Sequence, residues 1–366
     1  MTFEAFWSKP PEFGRGREQD PLGLSSIHEA AADVLLPLLS GRTRNAEDYL
    51  WVLVGLRWAS EEAATDREIW SNFEAFEKAL KLNWFHCGRC SGFSGVGAIR
   101  EHYNTGNTDL NFKLISNQRS LGLLGAYLRS LRDAGLVKRE SLKLEDNSAH
   151  ALIDSVPFWW NGGISGYGWL KRTFTRAEAG FNRNVLRELG GRLFNRAEMH
   201  DVAARIRALG PLPAWRKAAP RLGASNQKQI LARVGNDLAM FCRRATSAFW
   251  ELLGSRGGSV PDVRPGRLRQ RAWREVAFRS ATMQAFREPF DRFLSEIGRR
   301  PKRALIQLHS EIWERRGHLV PWVRLSNGRV QVRPDIEMKL PPPESDWDLR
   351  WGVAHRLINK TGWRPK

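Results

Sequence analysis

The sequence predicts a mainly α-helical protein: a helical bundle with a winged helix-turn-helix, and a second helical domain carrying a small β-hairpin. Three observations predict it. Apolar residues recur at steps of three and four over most of the chain, the period of one helix face. Between Leu114 and Asp146, a stripe of Leu121, Leu124, Leu128 and Leu131 runs into Gly135, where a helix C-cap falls. A polar–apolar alternation through Leu136, Val137, Leu142 and Leu144 follows, as in a small two-stranded wing. Near the C-terminus, HLVPWVRLSNGRVQVRP centres on Ser326-Asn327-Gly328-Arg329, a strong hairpin-turn signal.

In chain order, residues 1–20 are rich in proline, glycine and charge and read as an arm or irregular docking segment. Ser25 or Ser26 is placed to cap a first helix, with apolar positions at Ile27, Val34, Leu35 and Leu38. Gly41 breaks it, and Asn45 or Ala46 opens a second helix through Tyr49, Val52, Leu53, Leu56 and Trp58. A third runs through Ile69, Trp70, Phe73, Phe76 and Leu80. Residues 86–107 are a glycine-rich connection. The winged-helix element spans about 98–146, with the helix at 118–134 as its reading helix. Opposite the leucines that helix carries Arg119, Gly122, Ala126, Arg129 and Ser130, and arginines among small residues suit close approach to a groove. The plainer alternative is an amphipathic helix and hairpin with solvated arginines.

Residues 154–172 are loop-like and aromatic and mark a boundary. Residues 174–253 are helical with a break at Gly210–Pro213, and 255–266 form a second linker. Helical spacing returns through Trp273, Phe278, Phe286, Phe290, Phe293 and Ile297, interrupted by Pro289, and the chain ends in a helical WDLRWGVAHRLINKTGW. These breaks give a helical N-terminal domain (1–155), a helical middle region (156–255) and a basic C-terminal domain with the hairpin (256–366).

An apolar share of 42% excludes wholesale disorder. No stretch approaches the roughly 18 uninterrupted apolar residues of a membrane span. The N-terminus lacks the charged-then-apolar order of a signal peptide. Three cysteines cannot build a disulfide framework, so a reducing, cytoplasmic setting is expected. Lys+Arg number 58 against 39 Asp+Glu, a net charge of +19, which points to a polyanionic partner: DNA first, RNA as the alternative. A GC-rich genome explains some of the arginine but not the imbalance of sign. The 16 tryptophans are scattered from Trp7 to Trp363, which argues for packing rather than one stacking platform.

Phosphate contacts are expected from Arg119, Arg129, Arg132, Lys138 and Arg139 in the winged element. A second set is Arg264, Arg267, Arg269, Arg271 and Arg274, a run without an acid and with Trp273 interleaved. Arg299, Arg300, Lys302 and Arg303 form its neighbour. Trp159, Trp160 and Trp169 could stack on unpaired bases or plug a domain interface.

Cys87 and Cys90 form a CxxC knuckle, half of a zinc site that Cys242 and His102 would have to complete; a buried thiol pair is the alternative. Gly92–Gly97 lacks the Lys-Ser/Thr of a P-loop and reads as a turn. Asp335, Glu337 and Lys339, after Val330-Gln-Val332, match half of a PD-(D/E)xK site, in which carboxylates hold Mg²⁺ and the lysine steadies the attacking water. A partner acid on an adjoining strand is missing. No G-x-S-x-G, Walker A or HExxH pattern occurs, and the eight histidines read as surface or hydrogen-bonded core residues. No cofactor is therefore expected, with Zn or Mg as the alternatives.

Asp20-Pro-Leu-Gly-Leu24, Leu35-Leu-Pro-Leu-Leu-Ser-Gly-Arg-Thr-Arg44 and Tyr49-Leu-Trp51 resemble the opening of uncharacterised proteins encoded in bacterial defence islands. The glycine-rich turn near Ser91–Gly97 and the Gly122–Leu136 helix are similar to the next blocks of that pattern, so the resemblance covers roughly residues 20–155. Leu39-Ser40-Gly41 stands where the pattern has Gly-Leu-Thr. The resemblance implies a setting, an accessory protein of an anti-phage or mobile-element system, and supplies no catalytic residues. The expected function is a non-catalytic DNA-binding subunit of such an assembly. The rivals are a Mg²⁺-dependent nuclease and a protein-interaction scaffold.

Overall fold

A computed structural model describes residues 20–39, 43, 45–61, 63–86, 88, 93–106, 110–115, 118–145, 147–154, 181–222, 226–255, 258–316, 320–333 and 347–365. The fold is mainly helical with one small antiparallel hairpin. The helices are α1 (Leu24–Leu35), α2 (Ala46–Glu61), α3 (Asp66–His86), α4 (Val96–Asn104), α5 (Gln118–Leu121), α6 (Leu123–Asp133), α7 (Asn147–Asp154), α8 (Arg183–Phe194), α9 (Ala197–Leu209), α10 (Trp215–Ala218), α11 (Asn226–Gly254), α12 (Arg271–Ala277), α13 (Ala281–Glu296), α14 (Pro301–Arg315) and α15 (Trp351–Thr361). The strands are β1 (Val323–Ser326) and β2 (Arg329–Val332). No described helix is long and apolar enough to cross a membrane.

Contacts divide the chain into a first unit, Met1–Leu36 with Leu209–Gly352, and a second, Pro37–Ala208 with Val353–Lys366. This partition interleaves along the chain, whereas the loops at 154–172 and 255–266 suggest three consecutive domains. Loop composition reports where helices stop; it carries no information on which distant helices share a core.

The second unit is built around α2, whose residues Tyr49 to Leu56 are all buried. A helix apolar on every side belongs inside a bundle, and α2 packs against α3, α6 and α7. Glu47 and Asp48 in its first turn complement the helix dipole. Thr65 and Glu68 make a reciprocal capping box at the start of α3, with Thr65 N–H donating to Glu68 Oε2 (2.9 Å) and Glu68 N–H to Thr65 Oγ1 (3.3 Å).

In the first unit α1 lies on the 29-residue α11 and also meets α12 and α13. Ser25 and Ser26 are not the caps of α1. Asp20, upstream, accepts from both their N–H groups (3.1 and 3.3 Å), because Gly23 turns the chain with φ +69 and brings that carboxylate over the helix end. Arg316 donates to Asp20 O (2.6 Å) and Oδ2 (3.2 Å). The buried His309 accepts Trp322 N–H at Nε2 (2.9 Å), so the proton sits on Nδ1, which donates to Pro21 O (2.9 Å). The Asp20–Leu24 stretch is thus a pin that fastens α1 to α14. α13 runs unbroken through Pro289. Burial of Phe290, Phe293, Leu294 and Ile297 outweighs the roughly 3 kcal/mol cost of an interior proline. The hairpin forms as expected: Asn327 (φ 50) and Gly328 (φ 73) supply the two left-handed positions of a type I′ turn, and Val323 faces Val332 across the ladder.

His28 is a hydrogen-bonded core histidine: its Nε2 accepts Leu349 N–H (3.0 Å). Burial, and secondarily the Arg350 charge, lower its pKa to about 3. A group kept neutral in the fold takes up a proton on unfolding, so its contribution is complete above about pH 6.5 and is lost as pH falls toward 3, at about 1.4 kcal/mol per unit. Between pH 7 and 5 this amounts to about 2 kcal/mol. Urea unfolding at both pH values is expected to show a loss smaller by about that amount in His28→Gln, which retains an acceptor; equal losses in variant and parent would refute the assignment.

Candidate nucleic-acid interface

The expected single helix at 118–134 is two pieces, α5 and α6, joined at Gly122. Gly122 N–H donates to Gln118 O (2.7 Å), and a Cβ at Gly122 would lie 2.3 Å from that oxygen and 2.6 Å from Glu77 Oε2. Only glycine permits this approach. The Glu77 carboxylate then accepts Leu123 N–H (2.7 Å), capping α6 from α3. At the other end Gly135 (φ +67) closes a Schellman motif, with Leu136 N–H on Leu131 O and Gly135 N–H on Arg132 O, both 2.9 Å. After it, Val137 and Leu144 form one isolated antiparallel bridge rather than a two-stranded ladder.

The buried stripe of α6 is Leu123, Leu124, Tyr127, Ser130 and Leu131. Two expectations change. Ser130 is buried instead of facing outward, and Leu128 is half-exposed, because the buried face of α6 centres on Tyr127, whose hydroxyl donates to Asp48 Oδ2 (2.9 Å). Leu128 lines a groove of about 510 Å³ with Trp70, Arg119, Gly125, Arg129, Arg132, Asp133 and Arg139. Arg119 stands over the Trp70 ring, 5.8 Å from its centroid, a contact that holds an exposed guanidinium in a set direction. A second depression, about 560 Å³, shares Arg119 and adds Lys78 and Lys113. Lys78 donates to Leu110 O (3.0 Å).

The five predicted basic residues here have different settings. Arg119, Arg129, Lys138 and Arg139 are exposed. Arg129 lies 3.8 Å from Asp133. Arg132 is occupied: its Nε donates to Lys138 O (3.1 Å) and an Nη to Ser141 O (3.2 Å), which ties the turn to the helix. The sequence reading missed Trp70, Lys78 and Lys113. The signal for Trp70 was present: Ile69, Phe73, Phe76 and Leu80 form the α3 core stripe, and Trp70 falls beside it, half-exposed.

In the first unit the expected acid-free arginine run meets acids just outside it and, at Asp291, from the next helix. Arg264 pairs with Asp262 (2.5 Å), Arg271 with Glu275 (2.7 Å), and the half-buried Arg274 with Asp291. Trp273 is 1% exposed and donates to Leu268 O (3.0 Å), so it belongs to the core and does not interleave with a ligand. Arg267, Arg269, Arg299, Arg300 and Arg303 remain exposed. The Arg269 guanidinium reaches 3.7 Å from the Cβ position of Gly298, joining the two expected clusters into one patch. Lys302 is half-buried in the first turn of α14.

Trp159, Trp160, Trp169, Cys87, Cys90, Asp335, Glu337 and Lys339 lie outside the described residues. Cys242 is wholly buried in α11, and burial pushes its thiol well up. Among the described residues no three His, Cys, Asp or Glu side chains converge on a metal position. No protein-family model matches the chain, and neither a curated protein nor a solved structure matches it.

Proposed function

We propose that this chain is a nucleic-acid-binding, non-catalytic subunit of a bacterial defence or mobile-element assembly, with DNA as its ligand. The observation that carries the reading is the groove on α5 and α6: exposed Arg119, Arg129 and Arg139 around Leu128, with Trp70 orienting Arg119, on a chain of net charge +19. In this reading α6 is the reading helix of a winged helix-turn-helix and the Val137–Leu144 turn is its reduced wing. The patch of Arg267, Arg269, Arg299, Arg300 and Arg303 adds phosphate contacts that carry no sequence information. The assembly partners are other subunits of the same system, a setting taken from the resemblance over residues 20–155.

The test is anisotropy of labelled duplex DNA and duplex RNA titrated between low and moderate salt. Each neutralised phosphate contributes about −0.9 to the slope of log affinity against log salt on DNA. Arg119→Glu with Arg129→Glu is expected to weaken duplex DNA binding more than about tenfold and to flatten that slope by about 2. Affinity that is flat with salt, or unchanged in the double variant, refutes the interface, and tighter binding to the RNA duplex refutes DNA as the ligand.

A further inference from the structure

The second unit holds another open cleft, of about 1040 Å³, that shares no residue with the Arg119 groove. One side is α8, where Arg183 and Arg187 stand four residues apart and so on one helix face. The other side is the end of α15 and the residues after it, with Lys360, Trp363 and Arg364. Among the described residues the one acid lining the cleft, Glu47, is already paired with Lys360 (2.6 Å). Arg183, Arg187 and Arg364 are exposed and have no hydrogen-bond or ion-pair partner among the described residues. Like charges at i and i+4 oppose helix formation, so an anion from outside the chain would relieve their repulsion.

We propose that this cleft holds the backbone of single-stranded nucleic acid. The ligand class rests on the function proposed above; the strandedness comes from the cleft. Arg183 and Arg187 are spaced by about 6 Å along the helix, close to the distance between successive phosphates of an extended strand. The half-buried Phe181, which packs at a steep angle against Trp51 (centroids 5.2 Å), also lines the cleft on the α8 side and leaves part of its aromatic surface for an unpaired base. The volume lies at the upper end of the few-hundred to about 1000 Å³ range of small-ligand pockets. It has room for a nucleotide or two.

The experiment uses the full chain with labelled oligo(dT) and a labelled duplex of equal length. Arg183→Glu with Arg187→Glu is expected to weaken oligo(dT) binding more than about tenfold and to flatten its salt slope by about 1.4, two single-strand contacts. Duplex binding stays within about twofold, since it depends on Arg119 and Arg129. Phe181→Ala, which removes no charge, is expected to weaken oligo(dT) about tenfold through lost stacking while leaving the salt slope unchanged. Thymidine monophosphate is expected to compete only at far higher nucleotide concentration than the strand. Oligo(dT) binding indifferent to Arg183 and Arg187, while the duplex still depends on Arg119 and Arg129, overturns the cleft's role alone. Competition by the mononucleotide at matched nucleotide concentration overturns the single-strand assignment in favour of a free nucleotide. Indifference of both DNA forms to both double variants overturns the nucleic-acid reading itself.

Discussion

Glu77→Ala is expected to lower the unfolding free energy by about 3–5 kcal/mol, the cost of breaking a buried ion pair from one side. Glu77 and Lys81 lie one turn apart on α3, and each side chain is 1% exposed. The Glu77 carboxylate receives Lys81 Nζ, Gln118 Nε2 (3.0 Å) and Leu123 N–H (2.7 Å). Ser94 Oγ accepts from Lys81 Nζ at 3.0 Å but carries no charge to balance it. The alanine variant strands an ammonium in the core. Adding Lys81→Met removes that charge, and the double variant is expected to recover most of the loss, since apolar replacement of a buried pair is often neutral. Urea unfolding of the three proteins checks this; a single-variant loss below about 1 kcal/mol refutes it. Glu77 also fixes where α6 begins. The double variant regains stability but not the cap on Leu123, so its duplex DNA affinity is expected to stay below that of the parent. That split separates the carboxylate's part in the core from its part in setting the Arg119–Arg129 groove.

Arg350→Ala is expected to cost about 3 kcal/mol. The Arg350 side chain is 4% exposed and reaches Glu29, Asp33 (2.7 Å) and Leu36 O (3.3 Å). Hydrogen bonds to charged groups contribute about 1.5–3 kcal/mol each, but Glu29 and Asp33 are 47% and 35% exposed and regain water when the guanidinium leaves, so the sum is discounted. Leu349 and Arg350 both hold left-handed backbone, φ 52 and 65. Glycine takes that conformation without the roughly 1–2 kcal/mol penalty of an L side chain, so Arg350→Gly is expected to cost about 1 kcal/mol less than Arg350→Ala. Arg350→Lys is expected to recover little, because an ammonium cannot span two carboxylates and a carbonyl with the planar fork of arginine. The second readout is His28. The Arg350 charge is the smaller of the two causes lowering it, so Arg350→Met is expected to raise its titration point while burial keeps it below the ordinary histidine value. An unmoved His28 titration in that variant refutes the coupling.

Much of the fold was legible because its signals are local. The α2 and α3 periodicities, the glycine stop at Gly135 and the Asn327-Gly328 turn each depend on residues within one or two turns of chain, and all appear where the pattern puts them. The histidine reading holds at His28 and His309 for the same reason: an isolated histidine on an apolar face finds a backbone partner. The candidate site was less legible. Charge pattern identifies Arg119, Arg129 and Arg139 as surface cations, but Trp70, 49 residues before Arg119 in the sequence, enters the groove only through the packing of α3 on α5 and α6.

By itself the sequence determined the helical class, the hairpin, the stop of α6 and the basic excess, since propensity, period and turn chemistry act over a few residues. The tertiary structure alone decided which arginines are committed. Arg274 meets Asp291 and Arg132 meets the carbonyl groups of its own turn, whereas Arg119, Arg183 and Arg187 stay exposed. It also decided that Glu77, unremarked in the helix pattern, caps α6 from 46 residues away, and that Arg350 joins Glu29 across 321. Such partners are chosen by the packing of whole helices against one another. The Glu77–Lys81 pair follows the one-turn spacing of a helix, but the Glu77–Leu123 and Arg350–Glu29 contacts follow no spacing rule along the chain.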